Sequence, residues 1–133
     1  MRRKKTPPWE LYREANIRST LGEAQYSGPE EDDIESIEIT ILKLNNKSAW
    51  LYNWLKKYMP SWIPLGERKI YLSLANPSSA RVEWAREFVR YMRSKKIEAS
   101  FTVRRRPVDL LSFAVKEKED GKTMLRGDSG KDS

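Results

Sequence analysis

Residues 70–106 constrain the fold of this chain more than any other segment, because they read as a strand, a helix and a strand in succession. The helix is predicted over residues 80–95, where Trp84, Phe88 and Met92 recur on one face at the helical period. In the two flanking stretches apolar and polar residues alternate, which is typical of half-buried strands. This succession predicts a sheet with helices packed on it.

The helical period and the alternation typical of strands also predict the other elements of the chain. Ile37, Ile39 and Ile41 alternate with other residues in a strand, and Asn45-Asn46 can cap the helix that follows. The predicted order is β-α-β-α-β-β, with strands over residues 34–44, 68–75, 97–105 and 110–118 and helices over residues 47–59 and 80–95. Crossover helices imply neighbouring parallel strands, and the late hairpin implies an antiparallel edge. The prediction is an α/β fold with a mixed sheet, in an order that matches the first six elements of a thioredoxin-like fold.

The length of 133 residues fits one domain with tails, since domains most often have about 100–150 residues. Residues 1–33 are predicted to be a basic arm, with a short helix and an acidic loop. Residues 34–126 are predicted to form a single α/β domain. Residues 127–133 are polar and rich in glycine, so they are predicted to be a disordered tail.

Two missing residue types narrow the possible chemistry. The chain has no Cys, which excludes disulfides, thiol nucleophiles and thiolate metal sites. It has no His, which excludes the Ser-His-Asp triad and the commonest zinc ligand. A net charge of +7 at pH 7 instead favours an anionic partner. We predict no enzyme activity, no cofactor, no metal, no small-molecule substrate and no membrane partner.

Positive charge is concentrated in the strand–helix–strand segment, which holds nine Lys and Arg residues against three acids. Arg86, Arg90 and Arg93 share the face of the predicted helix opposite its apolar residues, and three further arginines end the next strand. A planar guanidinium donates two hydrogen bonds to a phosphate at once, so this pattern predicts contacts with a phosphate backbone. The alternative is a solvated helix face on which Glu83 and Glu87 pair with nearby arginines.

The predicted nucleic-acid-binding residues join this segment to the basic arm. They are Arg2, Arg3, Lys4, Lys5, Arg86, Arg90, Arg93, Lys95, Lys96, Arg104, Arg105 and Arg106. The arm can follow nucleic acid, and a targeting or solubility role is equally open. Trp9 and Trp62 are predicted contact aromatics because they lie in or beside loops, the second in a loop predicted over residues 61–67. Trp50, Trp54 and Trp84 fit the helical stripes and are predicted to be core.

An acidic run at residues 30–33 precedes the first strand of the predicted domain. It lacks the spaced ligands and the glycine of a calcium loop, so we expect a wet loop or a contact for a basic partner. Asp32 or Asp33, with Glu67 and Lys69 of the Glu67-Arg68-Lys69 stretch, has the residue types of a metal-dependent nuclease, which is the least favoured interpretation.

Three short motifs resemble a known family. Residues 70–74 form an apolar strand that ends in Asn76-Pro77, and the helix carries Ala-Arg-Glu-Phe-Val at residues 85–89. Residues 111–115 then lead to Asp-Gly-Lys-Thr-Met at residues 120–124. These motifs resemble the small thioredoxin-like proteins of the large subunit of the mitochondrial ribosome, in the family numbered fifty-three.

The resemblance spans residues 68–124, which is less than half of the chain. It implies a non-enzymatic ribosomal component that contacts rRNA and neighbouring ribosomal proteins in the mitochondrial matrix, with the cytoplasm as the alternative location. It makes Arg86 a family position. Family members begin near the first of these strands and finish with another helix, whereas here a long segment precedes that strand.

The sequence leaves several functions open. The first is an RNA-binding structural component of a ribonucleoprotein, most consistent with the mitochondrial ribosome. A small basic DNA-binding or virion protein of a thermophilic archaeal system has a similar composition. A protein-binding adaptor would use the acidic loop and Trp62 as its contact. The nuclease is the fourth.

Overall fold

A computed structural model describes residues 6–107 of the chain. Within this range the chain forms helices α1 (Pro8–Ala24), α2 (Asn46–Tyr58) and α3 (Ser79–Ser94) and strands β1 (Ile34–Leu42), β2 (Trp62–Leu65), β3 (Lys69–Ser73) and β4 (Ala99–Arg105). The helices and strands predicted in this range are present, and α1 is longer than expected. The strand β2 lies where a loop was predicted.

The four described strands form one sheet in the order β2-β3-β1-β4, and each pair of neighbours is antiparallel. Each crossover helix joins two parallel strands that have a third strand between them, as in a split β-α-β arrangement. The predicted neighbouring parallel strands are therefore wrong for the described part of the sheet. The cause is β2, which forms a hairpin with β3 and leaves β3 beside β1. Gly66 makes the hairpin turn with a φ of 70°, a conformation that favours glycine.

The predicted class, α/β with helices packed on a sheet, is confirmed. A thioredoxin-like order is compatible with this architecture and stays a prediction. Its decisive hairpin, over residues 110–126, lies outside the described residues, as do the arm at residues 1–5 and the tail at residues 127–133.

The core lies between the helices and one face of the sheet. Ile37, Ile39 and Ile41 of β1 are fully buried, as their alternation predicts. They pack in one cluster with α3, whose Phe88 and Met92 are also fully buried. Burial of each such side chain contributes about 1.5–3 kcal/mol relative to exposure, so this stripe contributes strongly to the stability of the fold.

The helix α1 belongs to the same packed unit. Its Leu11 and Ala15 are buried in the core cluster, and Gly22 approaches α3 so closely that an added Cβ would lie 2.8 Å from Glu87 Cγ. The phenol oxygen of Tyr12 accepts a hydrogen bond from the indole of Trp62 at 3.0 Å. The predicted boundary between residues 1–33 and the α/β domain is therefore wrong for α1. This helix is part of the packed domain, because its apolar stripe is buried against α3.

The other face of the sheet is open in the part of the chain that the structure describes. Register places one set of side chains there, none of which is buried. We call this set the open face: Ser36, Glu38, Thr40, Leu42, Ile63, Leu65, Lys69, Tyr71, Ser73, Ser100, Thr102 and Arg104. The helices α2 and α3 pack against the opposite face, and α1 packs on those two helices. The sheet therefore offers solvent a broad surface of its own.

Candidate nucleic-acid interface

The arginines that end β4 meet the acidic segment that precedes β1. The guanidinium of Arg105 donates to Glu31 at 2.7 Å and to Asp33 at 2.9 Å. Arg106 donates to the backbone carbonyl of Asp32 at 2.8 Å. The hydrogen bond with Glu31, together with the charges of Glu31 and Asp33, raises the pKa of Arg105 above its ordinary value. We call these residues, Glu31, Asp32, Asp33, Arg105 and Arg106, the paired end.

The acidic segment is also tied to the start of α3. The carboxylate of Glu30 accepts from the backbone N–H of Ser79 at 3.1 Å. In return, the backbone N–H of Glu31 donates to Ser79 Oγ at 2.8 Å. The segment predicted to be a wet loop or a partner contact is thus exposed and engaged in contacts within the chain.

Two of the predicted helix arginines also have carboxylate partners. Arg86 bonds to Glu83 at 2.5 Å, and Arg90 bonds to Glu87. These are the local pairs that the alternative interpretation predicted for α3. The third arginine, Arg93, instead donates to the backbone carbonyl of Ala99 at 2.8 Å. The helix face therefore carries less unmatched charge than its arginine count suggests.

Unmatched cations gather at the opposite end of the sheet, where β1 ends and β3 and β4 begin. Register places Leu42, the last residue of β1, opposite Lys69. The backbone N–H of Lys43 donates to the carbonyl of Arg68 at 2.7 Å. We call the cations at this end the basic pole: Lys43, Lys47, Arg68, Lys69, Arg93, Lys95 and Lys96.

The helices join the same end. The ammonium of Lys47, in the first turn of α2, donates to the carbonyl of Lys95 at 2.9 Å. The side chain of Asn45, the residue that caps α2, donates to the carbonyl of Lys96 at 3.4 Å. Hydrogen bonds thus connect the start of α2 with the end of α3, and four elements of the fold bring cations to this pole.

The basic pole differs from the paired end in its carboxylates. It contains seven cations, and only Glu67 and Glu98 lie on the same stretches of chain. Within residues 6–107 none of these seven cations has a carboxylate within ion-pair distance. Lys43 and Lys95 lie over the rings of Tyr52 and Tyr91, at 4.6 and 5.5 Å from the ring centres.

The ends of two helices also act on the cations of the pole. The partial negative charge at the end of α3 stabilises cations such as Arg93, each by about 0.3–1 kcal/mol. The partial positive charge at the start of α2 adds to the potential of the pole. Burial, followed by the charge of Glu14, raises the pKa of Tyr91, so its phenol stays neutral beneath Lys95 at pH 7. Tyr91 therefore adds no negative charge to the pole at that pH.

A cleft of about 460 Å³ opens in the pole. It is lined by Leu44, Asn45, Arg93, Lys96, Ile97 and Glu98. Leu44 is 61% exposed, so the cleft has an apolar lip beside its cations. A mixed lining of this kind can contact both the phosphate and the sugar of a nucleotide.

The structure brings Arg93, Lys95 and Lys96 of the predicted set to the pole, and Arg104 to the open face. Four pole residues were missing from that set: Lys43, Lys47, Arg68 and Lys69. The sequence did contain a signal for these four residues. The turn at Asn45-Asn46 follows β1 and the turn at Gly66 precedes β3, and an antiparallel order of the two strands places both turns at the same end of the sheet. The predicted cations Arg2, Arg3, Lys4 and Lys5 lie outside the described residues.

The predicted contact aromatics have different positions. Trp9 is 52% exposed, and its ring meets that of Trp50 edge-on at 6.1 Å. Trp50 is 41% exposed, so its prediction as a core residue is wrong. Of the other two tryptophans predicted to be core, Trp84 is buried and Trp54 packs partly buried against the core.

Trp62 is corrected from a contact residue to a core residue. It is 2% exposed, because β2 pairs with β3 and points Trp62 to the same face as Leu72. Its indole hydrogen bond to Tyr12 satisfies the only polar atom that this side chain buries. An adaptor surface built on Trp62 is therefore not present.

The residues of the nuclease interpretation lie at opposite ends of β1. Asp33 directly precedes this strand, whereas Glu67 lies beside the end of it. A strand of nine residues spans about 30 Å, too far for two ligands of one metal ion. Within residues 6–107, no cluster of three or more acids can hold a metal ion.

Comparison with protein-family models, with curated proteins and with solved structures finds no match for this chain. The resemblance to mitochondrial ribosomal proteins therefore stays an expectation that rests on the quoted motifs. Among the described helices, none combines the length and apolar character that a bilayer crossing requires.

Proposed function

We propose that this protein binds RNA through the basic pole, as a non-enzymatic structural component of a ribonucleoprotein. The observation that carries the proposal is the contrast in ion pairing. At the paired end Arg105 has two carboxylate partners and Arg106 has a backbone carbonyl, whereas the seven cations of the pole have no carboxylate partner among the described residues. Cations held close together without partners repel one another, which costs stability unless an anion joins them.

A polyanion fits the pole better than a small anion does. The cations come from β1, from the turn before β3, and from the ends of α2 and α3, so they form a surface rather than one pocket. A phosphate backbone repeats its charge along its length and can contact several of these groups together. Each contact releases condensed counterions, so the affinity depends strongly on salt.

Other features supplement the pole. Arg104, on the open face, has no carboxylate partner among residues 6–107, and Trp9 lies close to the basic arm in sequence. The paired arginines Arg86 and Arg90 can exchange their carboxylates for phosphate, since such surface pairs contribute only about 0.2–0.5 kcal/mol. They are proposed as secondary contacts.

The finer parts of the proposal rest on the sequence motifs. A mitochondrial ribosome as the particle, its rRNA and neighbouring proteins as partners, and the matrix as the location follow from the resemblance alone. DNA is the alternative ligand, because the pole contacts phosphates that both nucleic acids have.

The test is RNA binding by two matched variants of the full chain. The pole variant is Arg68→Gln/Lys69→Gln/Lys96→Gln, which removes three exposed cations whose side chains have no hydrogen bond within the described chain. The end variant is Arg81→Gln/Arg105→Gln/Arg106→Gln, with the same change in net charge; Arg81, at the start of α3, pairs with Glu23 at 3.4 Å. Fluorescence anisotropy with a labelled single-stranded RNA measures the affinity of each.

We expect the pole variant to bind about 10- to 100-fold more weakly than the native chain at about 0.1 M salt, because three phosphate contacts are lost. The end variant is expected to stay within about threefold, since Arg81 and Arg105 already have carboxylate partners and Arg106 has a backbone carbonyl. Equal losses in the two variants, or a native chain that does not bind RNA, would refute the proposal. The same assay with DNA of matching sequence separates the two nucleic acids.

A further inference from the structure

The open face has an aromatic residue at its centre. Register aligns Ile63, Tyr71, Thr40 and Ser100 in one row across the four strands. Tyr71 is half-buried, and on its β1 side the row continues with two small hydroxylated residues. Short neighbours leave room for a flat group beside the phenol ring, and hydroxyls can both donate and accept hydrogen bonds.

The remaining residues of the open face suit a polar aromatic ligand. The hydroxyls of Ser36, Ser73 and Thr102 lie on it, and Glu38 is its single acid. Ile63 and Leu65 form an apolar margin on β2, where they are 47% and 52% exposed. Nucleic acid bases have the same combination, a planar apolar surface with hydrogen-bonding edges.

The open face is continuous with the basic pole. Lys69 belongs to both, and it lies on the same side of β3 as Tyr71, two residues before it. Successive side chains on one face of a strand lie about 7 Å apart. A phosphate bound at Lys69 therefore leaves its base within reach of Tyr71.

We infer that bases lie on the open face at Tyr71 while the pole holds their phosphates, so that the ligand is single-stranded rather than duplex RNA. This inference rests on the proposed function. In an A-form duplex the bases are stacked inside and a flat sheet cannot reach their faces, whereas unpaired bases can stack on an aromatic side chain. Sequence-tolerant stacking of this kind is common in proteins that bind single strands.

The charge of the face favours RNA over a second copy of this chain. Stable self-association uses an apolar centre, and here the central strands expose hydroxyls, Glu38 and Lys69. The exposed apolar residues of the face, Ile63 and Leu65, lie on the outer strand β2, and Leu42 is partly buried at the end of β1.

The test compares a single-stranded RNA with the same RNA annealed to its complement, using the full chain. The variants are Tyr71→Ala, Tyr71→Phe and, as a matched control, Tyr58→Ala, which removes a 56% exposed tyrosine from α2. Ile63→Ala provides a second change on the open face at an exposed position. Circular dichroism establishes that each variant is folded.

We expect Tyr71→Ala to weaken single-strand binding about 5- to 100-fold, and Tyr71→Phe to retain the affinity within about threefold. Duplex affinity and the salt dependence should not change, because no phosphate contact is lost. Ile63→Ala should weaken single-strand binding by a smaller factor, and Tyr58→Ala should have no effect. If Tyr71→Ala does not fold, the inference is tested by whether Ile63→Ala weakens the binding of single-stranded RNA without weakening the binding of the duplex.

Three outcomes would overturn the inference: tighter binding of the duplex, equal losses for both RNA forms, or no loss with Tyr71→Ala and Ile63→Ala. Sedimentation that reveals a dimer of the free protein, dissociated by Tyr71→Ala, would also overturn it and assign the face to self-association. If the pole variant loses affinity while both open-face variants retain it, only this inference fails. If the pole variant binds as well as the native chain, the proposed function fails.

Discussion

The two ends of the sheet hold cations in opposite electrical surroundings. At the paired end, Arg105 lies between Glu31 and Asp33 and hydrogen-bonds to both. At the basic pole, Arg68 and Lys69 lie beside further cations and have no ion pair within the described chain. The number of arginines in a segment thus says less about binding than the distance from each one to the nearest carboxylate.

Charge reversal should give the largest difference in RNA affinity between variants of the basic pole and variants of the paired end. Arg68→Glu/Lys69→Glu/Lys96→Glu should weaken RNA binding by on the order of 100-fold or more, because attraction becomes repulsion. Arg81→Glu/Arg105→Glu/Arg106→Glu should have a much smaller effect on binding. The paired end lies about 30 Å from the pole, well beyond the Debye length of about 8 Å at physiological salt.

The same reversals should have the opposite ranking for stability. Reversal at the paired end places new carboxylates beside Glu31 and Asp33, and the free energy of unfolding should fall. Reversal at the pole relieves repulsion, so stability should be equal or higher. Urea unfolding measures both, and a pole reversal that unfolds the protein would show that these cations are structural.

The salt dependence of binding sharpens the comparison. A plot of log affinity against log salt should be shallower by about 2 for Arg68→Gln/Lys69→Gln/Lys96→Gln, since each lost single-strand phosphate contact removes about 0.7 from the slope. The matched substitutions at Arg81, Arg105 and Arg106 should leave the slope close to its native value. Parallel lines for all three proteins would contradict a phosphate site at the pole.

Neutralising Glu31 and Asp33 tests whether ion pairing is what keeps the paired end from binding RNA. Glu31→Gln/Asp33→Asn releases Arg105, and RNA affinity should rise by about two- to fivefold. Adding Arg105→Gln to this variant should cancel the gain. A gain that survives the added substitution would arise from overall charge and not from Arg105.

The smallest expected effect is that of the pair itself on stability. Arg105→Gln should lower the free energy of unfolding only slightly, because exposed ion pairs contribute little. Thermal unfolding of the native and variant chains measures the difference. A loss of several kcal/mol would mean that the acidic segment depends on Arg105 to fold against α3.

Much of the fold was predictable because local periodicity decides it. The alternation of Ile37, Ile39 and Ile41 and the helical stripe of α3 each reflect one buried face, and a buried face leaves its period in the sequence. The caps were equally local: Asn45 accepts from the N–H of Ser48 at 2.8 Å in α2. Such features require no knowledge of distant residues.

The strand β2 was missed because its state depends on its partner. Four residues are too few to show a period, and Pro64 and Gly66 suggest a loop. Only pairing with β3 makes this segment a strand and buries Trp62. Because a loop was predicted in place of β2, the prediction also placed parallel strands next to each other in the sheet.

The basic pole was missed for the same reason. Its residues are spread from Lys43 to Lys96, and only the antiparallel order brings the end of β1 to the start of β3. A parallel neighbour would have placed Lys69 near the acidic segment instead. The pairing of Arg105 with Glu31, 74 residues away, was equally invisible in local sequence.

The most direct test is a map of the RNA contact on the native chain. Amide chemical shifts of the nitrogen-15-labelled protein, recorded as a short single-stranded RNA is added, report which residues meet it. We predict the largest changes at residues 42–47, 66–71 and 93–99, with residues 30–33 and 105–106 little affected. Changes concentrated at residues 30–33 and 105–106, or none at the pole, would contradict this prediction.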